Sequence, residues 1–294
     1  MKKLAETIRT IGLIANPEKV NCQRLLQTAV ALIQQTGRIV LADQPTVELG
    51  KLKITAVDSM AQLARQTQLL IVFGGDGTML RVVRETAGVR TPILGLNAGG
   101  LGFLTAVRAR ELPHALEQIW AGEFTFETRP LIEAKGQGRG QYINQNAFND
   151  FVISRGLVSR LIDLEVSVDD QMLTRYRCDG LIVSSPTGST AYSLSAGGAI
   201  VSPSAEVFAL TPICPHTLSN RSVIVSLRSV VKVRVTGESA STTFTADGQV
   251  QNELQPGDVI TIRRSRQSVK LLRLNGSSFF GTLRQKLHWS GANV

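Results

Sequence analysis

The stretch that most constrains this chain is Leu69-Leu70-Ile71-Val72-Phe73, followed by Gly74-Gly75-Asp76-Gly77-Thr78 and then Met79-Leu80-Arg81-Val82-Val83. A short continuous apolar run marks a strand buried on both faces, as in a parallel sheet, and apolar residues at 79, 80, 82 and 83 fall on one side of a helix. The segment therefore predicts strand, glycine turn, helix. In such folds the turn lies beyond the carboxyl end of a strand, where ligands bind. Glycines permit positive φ and let backbone N–H groups approach a ligand, while the helix N-terminus adds partial positive charge, so the loop suits a phosphate. Asp76 does not suit one: its charge repels phosphate unless it takes a proton or holds a cation. A tight turn in which Asp76 only caps the helix fits the same residues. The loop by itself leaves both readings open.

The chain of 294 residues has room for about two domains with separate cores. With 43% hydrophobic and 19% charged residues its composition is globular. No apolar run approaches the roughly 18 residues of a membrane span, and Met1 to Arg9 lacks the apolar core of a signal peptide. A cytoplasmic protein without a membrane partner is the expectation. Cys22, Cys178 and Cys214 are scattered without CxxC spacing, which predicts reduced thiols rather than a disulfide framework or a zinc site. An excess of 32 basic over 23 acidic residues, +9, favours anionic partners. Only 5% of residues are aromatic and no basic-aromatic repeat occurs, so small anions are expected rather than nucleic acid.

Taken in order, Ile11 to Ala15 reads as a first strand ended by Asn16-Pro17. Leu25, Leu26, Ala29, Leu32 and Ile33 follow at helical spacing, with Gly37 as a C-terminal stop. Ile39-Val40-Leu41 is a second strand and Ile54 to Val57 a short one beyond a Pro-containing connection. Ser59 to Gln62 has capping-box spacing for a brief helix. After the glycine turn, Pro92 to Leu96 predicts another parallel strand entering a second glycine-rich loop, Asn97-Ala98-Gly99-Gly100-Leu101-Gly102-Phe103. An amphipathic helix then runs from about Pro113 to Gly122.

Past Gly122 the periodicity changes. Phe124, Phe126 and Thr128 alternate with Thr125 and Glu127, and Ile162, Leu164, Val166 and Val168 alternate with polar residues. Further strands are predicted at Phe151 to Ile153, Leu181 to Val183, Val223 to Val235, Thr242 to Thr245, Val259 to Ile262 and Val269 to Leu274, with Gly136 to Gly140 and Val168 to Gln171 as loops. The predicted fold is an α/β N-terminal domain with a Rossmann-like parallel sheet over residues 1–124, an all-β sandwich over 125–275, and a helical tail, 276–294, packing back on the first domain.

Familiar nucleotide and metalloprotease motifs, GxxxxGK[ST], a full GxGxxG, the kinase HRD and DFG set and HExxH, are missing, and His114, His216 and His288 lie far apart. The richest polar stretch outside the first loop is Arg177-Cys178-Asp179-Gly180 through Ser184-Ser185-Pro186-Thr187-Gly188-Ser189-Thr190-Ala191-Tyr192-Ser193-Leu194-Ser195 to Gly198. It supplies hydroxyls, a ring that can stack on a base, a carboxylate able to accept from an exocyclic amine, and a segment able to start a helix aimed at an anion. Taken alone, such a stretch is more commonly a Ser/Thr-rich turn with a packed tyrosine. Asn149-Asp150 suits ribose hydroxyls or a strand-edge turn, and Asp247-Gly248-Gln249 is first a hairpin signal.

Together these pieces resemble the NAD kinases, which transfer a phosphoryl group from ATP to the 2′-hydroxyl of the adenosine ribose of NAD. The resemblance rests on the order of Gly74 to Thr78, Gly95 to Phe103, Asn149-Asp150, Asp179-Gly180, Pro186 to Tyr192, Ser195 to Gly198, Pro215-His216 with Leu218 and Arg221, and Asp247-Gly248-Gln249. It implies an α/β nucleotide-binding domain followed by a β-sandwich, with Asp76 as proton acceptor from the 2′-hydroxyl and Gly77 admitting the ribose. That role agrees with the physics of phosphoryl transfer, in which a carboxylate orients the attacking hydroxyl. It further implies that Asn149 and Asp150 bind hydroxyls, that Asp179, Thr190, Ala191, Tyr192, Ser193, Leu194 and Ser195 contact the dinucleotide, and that Gln249 adds a contact. Arg177 belongs to this set, and a bulky cation there goes with preference for oxidised NAD. Asp150 stands where a glutamate is more usual, which shortens its reach by one methylene. Arg81 and Arg160 fit phosphate neutralisers and solvated surface arginines alike.

A divalent ion, Mg2+, is expected to accompany ATP, with no dedicated cage in the sequence. A homodimer or homotetramer is expected from the resemblance. The alternatives are a lipid or diacylglycerol kinase of related fold, against which the Thr187 to Gly198 run and Asp247-Gly248-Gln249 argue, and a non-catalytic NAD-binding sensor.

Overall fold

The computed structural model describes residues 2–17, 22–97, 99–100, 102–105, 107–156, 160–217, 221–237 and 242–289. Leu218, and Ala98 and Leu101 of the second glycine loop, lie outside the described residues. The chain forms two compact units, one of Met1–Thr128 with Ser268–Val294 and one of Arg129–Gln267.

In the first unit the strands Thr55–Val57, Ile39–Asp43, Thr10–Ala15, Leu69–Gly74 and Ile93–Asn97 lie side by side in that order, all parallel. Ile93–Asn97 also pairs with Val107–Arg108 and, at Leu271 opposite Ile93, with the end of the strand Val259–Leu274. Every residue of Leu69–Gly74 and Ile93–Asn97 is buried, as a strand covered on both faces requires. Leu13, Ile71, Phe73 and Leu96 pack with Leu26 and Ile33 of the helix Cys22–Gln34 and with Leu116 and Ile119 of the helix Leu112–Ala121. Each such side chain contributes about 1.5–3 kcal/mol by leaving water. The brief helix is Met60–Gln66, capped where Ser59 Oγ accepts from Gln62 N at 3.3 Å. Residues 44–50, expected as a connection, form a further helix, because Pro45 sits in the first turn where its missing N–H is no loss. The tail forms the helix Phe279–Lys286, whose N-cap Ser278 accepts from Gly281 N at 2.9 Å.

In the second unit one antiparallel sheet has the order Val223–Ser226, Val207–Ile213, Gly180–Ser184, Asp150–Arg155, Thr242–Ala246, Val250–Leu254. A second layer places Gln171–Cys178, Ile162–Val168, Val231–Val235 and the first part of Val259–Leu274 in order. Phe151, Ile153, Leu181, Phe208 and Phe244 from one layer and Leu164, Val166, Val233, Ile260 and Ile262 from the other share one core, as facing sheets do. Gly136 to Gly138, expected in a loop, lies inside the strand Phe124–Gly138, and the reversal falls at Arg139 and Gly140, with φ of 46° and 80°. The predicted strand from Val223 to Val235 is two strands, and Val259–Leu274 is one strand where two were expected. The charged run Arg263-Arg264-Ser265-Arg266 hides its alternation from a reading of the sequence.

Candidate active site

Asp76 is the first residue of the helix Asp76–Glu85, at the carboxyl end of Leu69–Gly74. Its carboxylate makes no cap on its own helix. Instead Oδ2 accepts from Phe103 N at 2.9 Å, and Oδ1 from Leu104 N at 3.1 Å, Thr105 N at 3.3 Å and Thr105 Oγ1 at 3.3 Å. The helix-capping reading is therefore set aside. Two glycine loops at the ends of adjacent strands are bound together by this one side chain. The approach is close: a Cβ on Gly102 would collide with the Asp76 carboxylate and the Thr105 hydroxyl. Buried Asn97 holds the loop from below, donating to Thr105 Oγ1 at 2.9 Å and accepting from Gly99 N at 2.6 Å.

The glycines of the first loop act differently from expectation. Gly74, Gly75 and Gly77 are not among the positive-φ residues, and Gly75 is extended at φ −104°, ψ −172°. Gly75 and Gly77 border open space, where a Cβ would meet no atom within 4 Å, whereas a Cβ on Gly74 would collide with the Thr78 side chain. Arg81 is half-buried, reaching Ala15 O at 3.4 Å with Nη2. Its charge also acts on Asp43, a buried carboxyl raised by desolvation against the counter-pull of Thr46 and Arg81. Arg81 thus stands at the carboxyl ends of two strands rather than free on the surface. A cavity of about 580 Å3 opens at the other ends of the same strands, between Gln68, Thr91 and Pro92, and no candidate residue lines it.

In the second unit Asn149 and Asp150 are buried, at 8% and 4% exposure. Asp247 organises them. Its Oδ2 accepts from Phe148 N at 2.8 Å, its Oδ1 from Asn149 N at 2.7 Å and Asp150 N at 3.1 Å, and its own N–H donates to Asp150 O at 3.0 Å. The hairpin signal is real, with φ of 50° at Asp247 and 65° at Gly248, and Gln249 stands exposed beside it. Burial, and then the charge of Asp247, push the Asp150 carboxyl up to about 7. A carboxyl poised there both donates and accepts near neutral pH, which suits sugar hydroxyls.

The Thr187 segment is tied to the same place. Ser185 N donates to Asn149 O at 2.8 Å and Ser185 Oγ to Phe148 O at 2.6 Å. Gly188 has no room for a Cβ against the Asn149 backbone. The helix expected after it is only a 3₁₀ turn, Thr187–Thr190, and one α turn, Tyr192–Ser195. Thr190 Oγ1 donates to Thr187 O at 3.2 Å, and Ser193 is buried with its hydroxyl 3.0 Å from that of Thr211. Ala191 and Leu194 are half-buried and Ser195 is exposed. Tyr192 is 48% exposed and presents a ring for stacking.

Arg177 and Asp179 belong elsewhere in the unit. Asp179 Oδ1 is paired with Arg155 Nε at 2.7 Å, while the Arg177 side chain is exposed. Asp150 and Arg155 are opposite ends of one strand, about 16 Å apart at about 3.3 Å per residue. Asp179 is therefore not gathered with Asn149 and Asp150. Arg160 is exposed, and no described contact links it to either group.

Residues 11–124 match the ATP-NAD kinase N-terminal domain and residues 148–274 the ATP-NAD kinase C-terminal domain. The chain is 40% identical to the NAD kinase of Moorella thermoacetica, over 97% of this chain and 91% of the relative. The chain belongs to the NAD kinase family. It is a phosphotransferase acting on NAD with ATP as donor. The NAD kinase of Syntrophotalea carbinolica is 44% identical over 75% of this chain and 78% of its own. Yeast NADH kinase, solved in complex with NADH, shares the fold at 24% identity with a TM-score of 0.89, covering 97% of this chain and 89% of that one. An NAD kinase from Archaeoglobus fulgidus in complex with ATP has a TM-score of 0.75 at 24% identity, over 96% and 100%.

Three residues that hold the candidate side chains carry no separate signal in the sequence: Asn97, Asp247 as an organiser, and, at the far end of its strand, Arg155 as the partner of Asp179. Asn97 and Asp247 lay inside motifs already singled out. Arg155 carried no local signal. Among the described residues no three His, Cys, Asp or Glu side chains converge as metal ligands. An ion carried by the phosphates of ATP would need no such cluster; Asp76 is the carboxylate that the loop would offer it, and the ion would offset phosphate charge.

Proposed function

We propose that Asp76 accepts the proton of the 2′-hydroxyl of the adenosine ribose of NAD as that oxygen attacks the γ-phosphoryl group of ATP. One bond forms from the ribose oxygen to phosphorus, the bond to the ADP oxygen breaks, and the proton goes to the carboxylate. The observation that carries this is the carboxylate of Asp76, directed by the 103–105 backbone instead of its own helix, beside a loop whose Gly75 and Gly77 leave open space. Gly77 admits the ribose and Arg81 offsets phosphate charge. Asn149 and Asp150 hold sugar hydroxyls, Thr190 to Ser195 and Gln249 contact the dinucleotide, and Asp179 with Arg177 and Arg160 serves its more distant groups. Mg2+ travels with ATP.

The protein acts in the cytoplasm; no helix among the described residues is long and apolar enough to cross a membrane. It works as a homodimer or homotetramer, a reading supported by the exposed Met172 and Leu173 on the edge strand Gln171–Cys178 and testable by light scattering. For the chemistry, purified protein with ATP and magnesium converts NAD to NADP in a coupled dehydrogenase assay. Asp76→Asn lowers kcat by roughly 10²–10⁴-fold and leaves NAD binding intact. Undiminished turnover by Asp76→Asn overturns the assignment, and lipid phosphorylation without NADP would overturn the acceptor.

A further inference from the structure

We propose that the C-terminal helix Phe279–Lys286 is a positioning element for Asp76, acting through Phe103. The inference rests on the reading of Asp76 as proton acceptor. A carboxylate on a short side chain has one free turn about its last bond, and here the backbone of Phe103, Leu104 and Thr105 sets that turn, with donors on both oxygens. The position of those N–H groups therefore decides where the carboxylate aims. Two anchors hold the segment. At Thr105 the anchor is the buried amide of Asn97. At Phe103 it is the tail: the Phe279 ring lies 6.2 Å from the Phe103 ring, tilted by 40°, and Lys286 Nζ stands 4.7 Å from the Phe103 ring centre.

The helix is itself held. Leu283 is buried, Ser278 caps the first turn, and Ser277 N donates to Leu274 O at 3.2 Å at the end of Val259–Leu274. Phe103 carries on one residue both the clamped ring and the N–H that meets Oδ2 at 2.9 Å. A ring released from Phe279 lets that peptide turn and loosens the carboxylate. The ring contacts of Phe279 are with Phe103 and Phe280. Its loss is expected to move the reacting geometry without removing a binding contact.

The test is Phe279→Ala in the full chain, with steady-state kinetics for NAD and ATP and amide hydrogen exchange at residues 103–105. The expected result is a kcat lower by about ten- to hundredfold with both KM values within about twofold of the parent. Exchange at Phe103 and Leu104 becomes faster, and Phe279→Tyr restores both. Should Phe279→Ala not fold, Phe279→Leu and Lys286→Ala carry the same measurements with smaller expected losses. A parental kcat, a loss that appears only in KM, or slowed turnover with unchanged exchange at 103–105 overturns the proposal. Asp76→Asn measured alongside separates the two readings. An inactive Asp76→Asn with an unimpaired Phe279→Ala removes the positioning role alone, whereas an active Asp76→Asn removes the proton-acceptor role and this inference with it.

Discussion

Asp76 in the first unit accepts from the backbone N–H groups of Phe103, Leu104 and Thr105, and Asp247 in the second accepts from those of Phe148, Asn149 and Asp150. Each is a carboxylate at a loop, binding three consecutive amides of another loop. Both carboxylates are half-buried with both oxygens on backbone N–H groups, and they differ in what those amides carry. The amides that hold Asp76 bring no ionisable side chain, so in the proposed function Asp76 itself reacts. Those that hold Asp247 belong in part to Asn149 and Asp150, the side chains proposed to bind. On the proposed function, the same hydrogen-bonding device would serve a reacting group in one unit and a binding surface in the other.

The sharpest way to break this contrast is to remove each hub. Asp76→Asn is expected to act on kcat, as above. Asp247→Ala leaves three buried amides without their acceptor, at a cost of about 3 kcal/mol in stability. It also raises KM for NAD about tenfold or more by loosening Asn149 and Asp150. A fall in kcat at unchanged KM in Asp247→Ala, from steady-state kinetics, would erase the distinction.

A somewhat smaller effect tests the neighbour. Asp150 holds its proton to about 7 when folded against an ordinary value of 3.8. The folded state therefore binds more protons between those values, and the stability that the group contributes is fully present below about pH 4 and lost as pH rises through 7. The buried charge costs at most about 4 kcal/mol at pH 8. Asp150→Asn is expected to be more stable than the parent at pH 8 and to lose less stability between pH 5 and pH 8, measured by urea unfolding, while binding NAD more weakly.

Gly102→Ala brings a methyl against the Asp76 carboxylate and is expected to lower kcat about tenfold with little change in KM. The mildest change is Arg155→Met. It unpairs a half-exposed Asp179, with a stability effect of about 0–1 kcal/mol and a severalfold change in KM for NAD, read by titration. An unchanged KM there would confine the second unit's role to the Asn149 and Asp150 end of the strand.

Much of this was legible in advance wherever the signal is local. The buried strand Leu69–Gly74 and the sandwich strand Ile162–Val168 follow from runs and alternation that a window of a few residues contains. The helix over residues 44–50 was not legible, because a proline in a short polar stretch reads as a break until its place in the first turn is known. The single strand Val259–Leu274 was divided for a similar reason, since its charged middle satisfies its ladder without showing an apolar face. The glycines of the first loop permit a positive φ that they do not use, since which conformation a glycine takes is set by the contacts around it.

Sequence alone determined the two-part α/β and all-β organisation, the family, and the candidate side chains, because periodicity and short motifs are properties of neighbouring residues. Only the tertiary structure decided what each carboxylate faces. Asp76 and Phe103 are 27 residues apart, Phe148 and Asp247 are 99 apart, and Arg155 and Asp179 meet only through strand pairing. Hydrogen bonds of that span exist once sheets bring distant loops to the same edge. That is why the charge on Asp76 reads as a misfit in a phosphate loop until the 103–105 backbone is in place beside it.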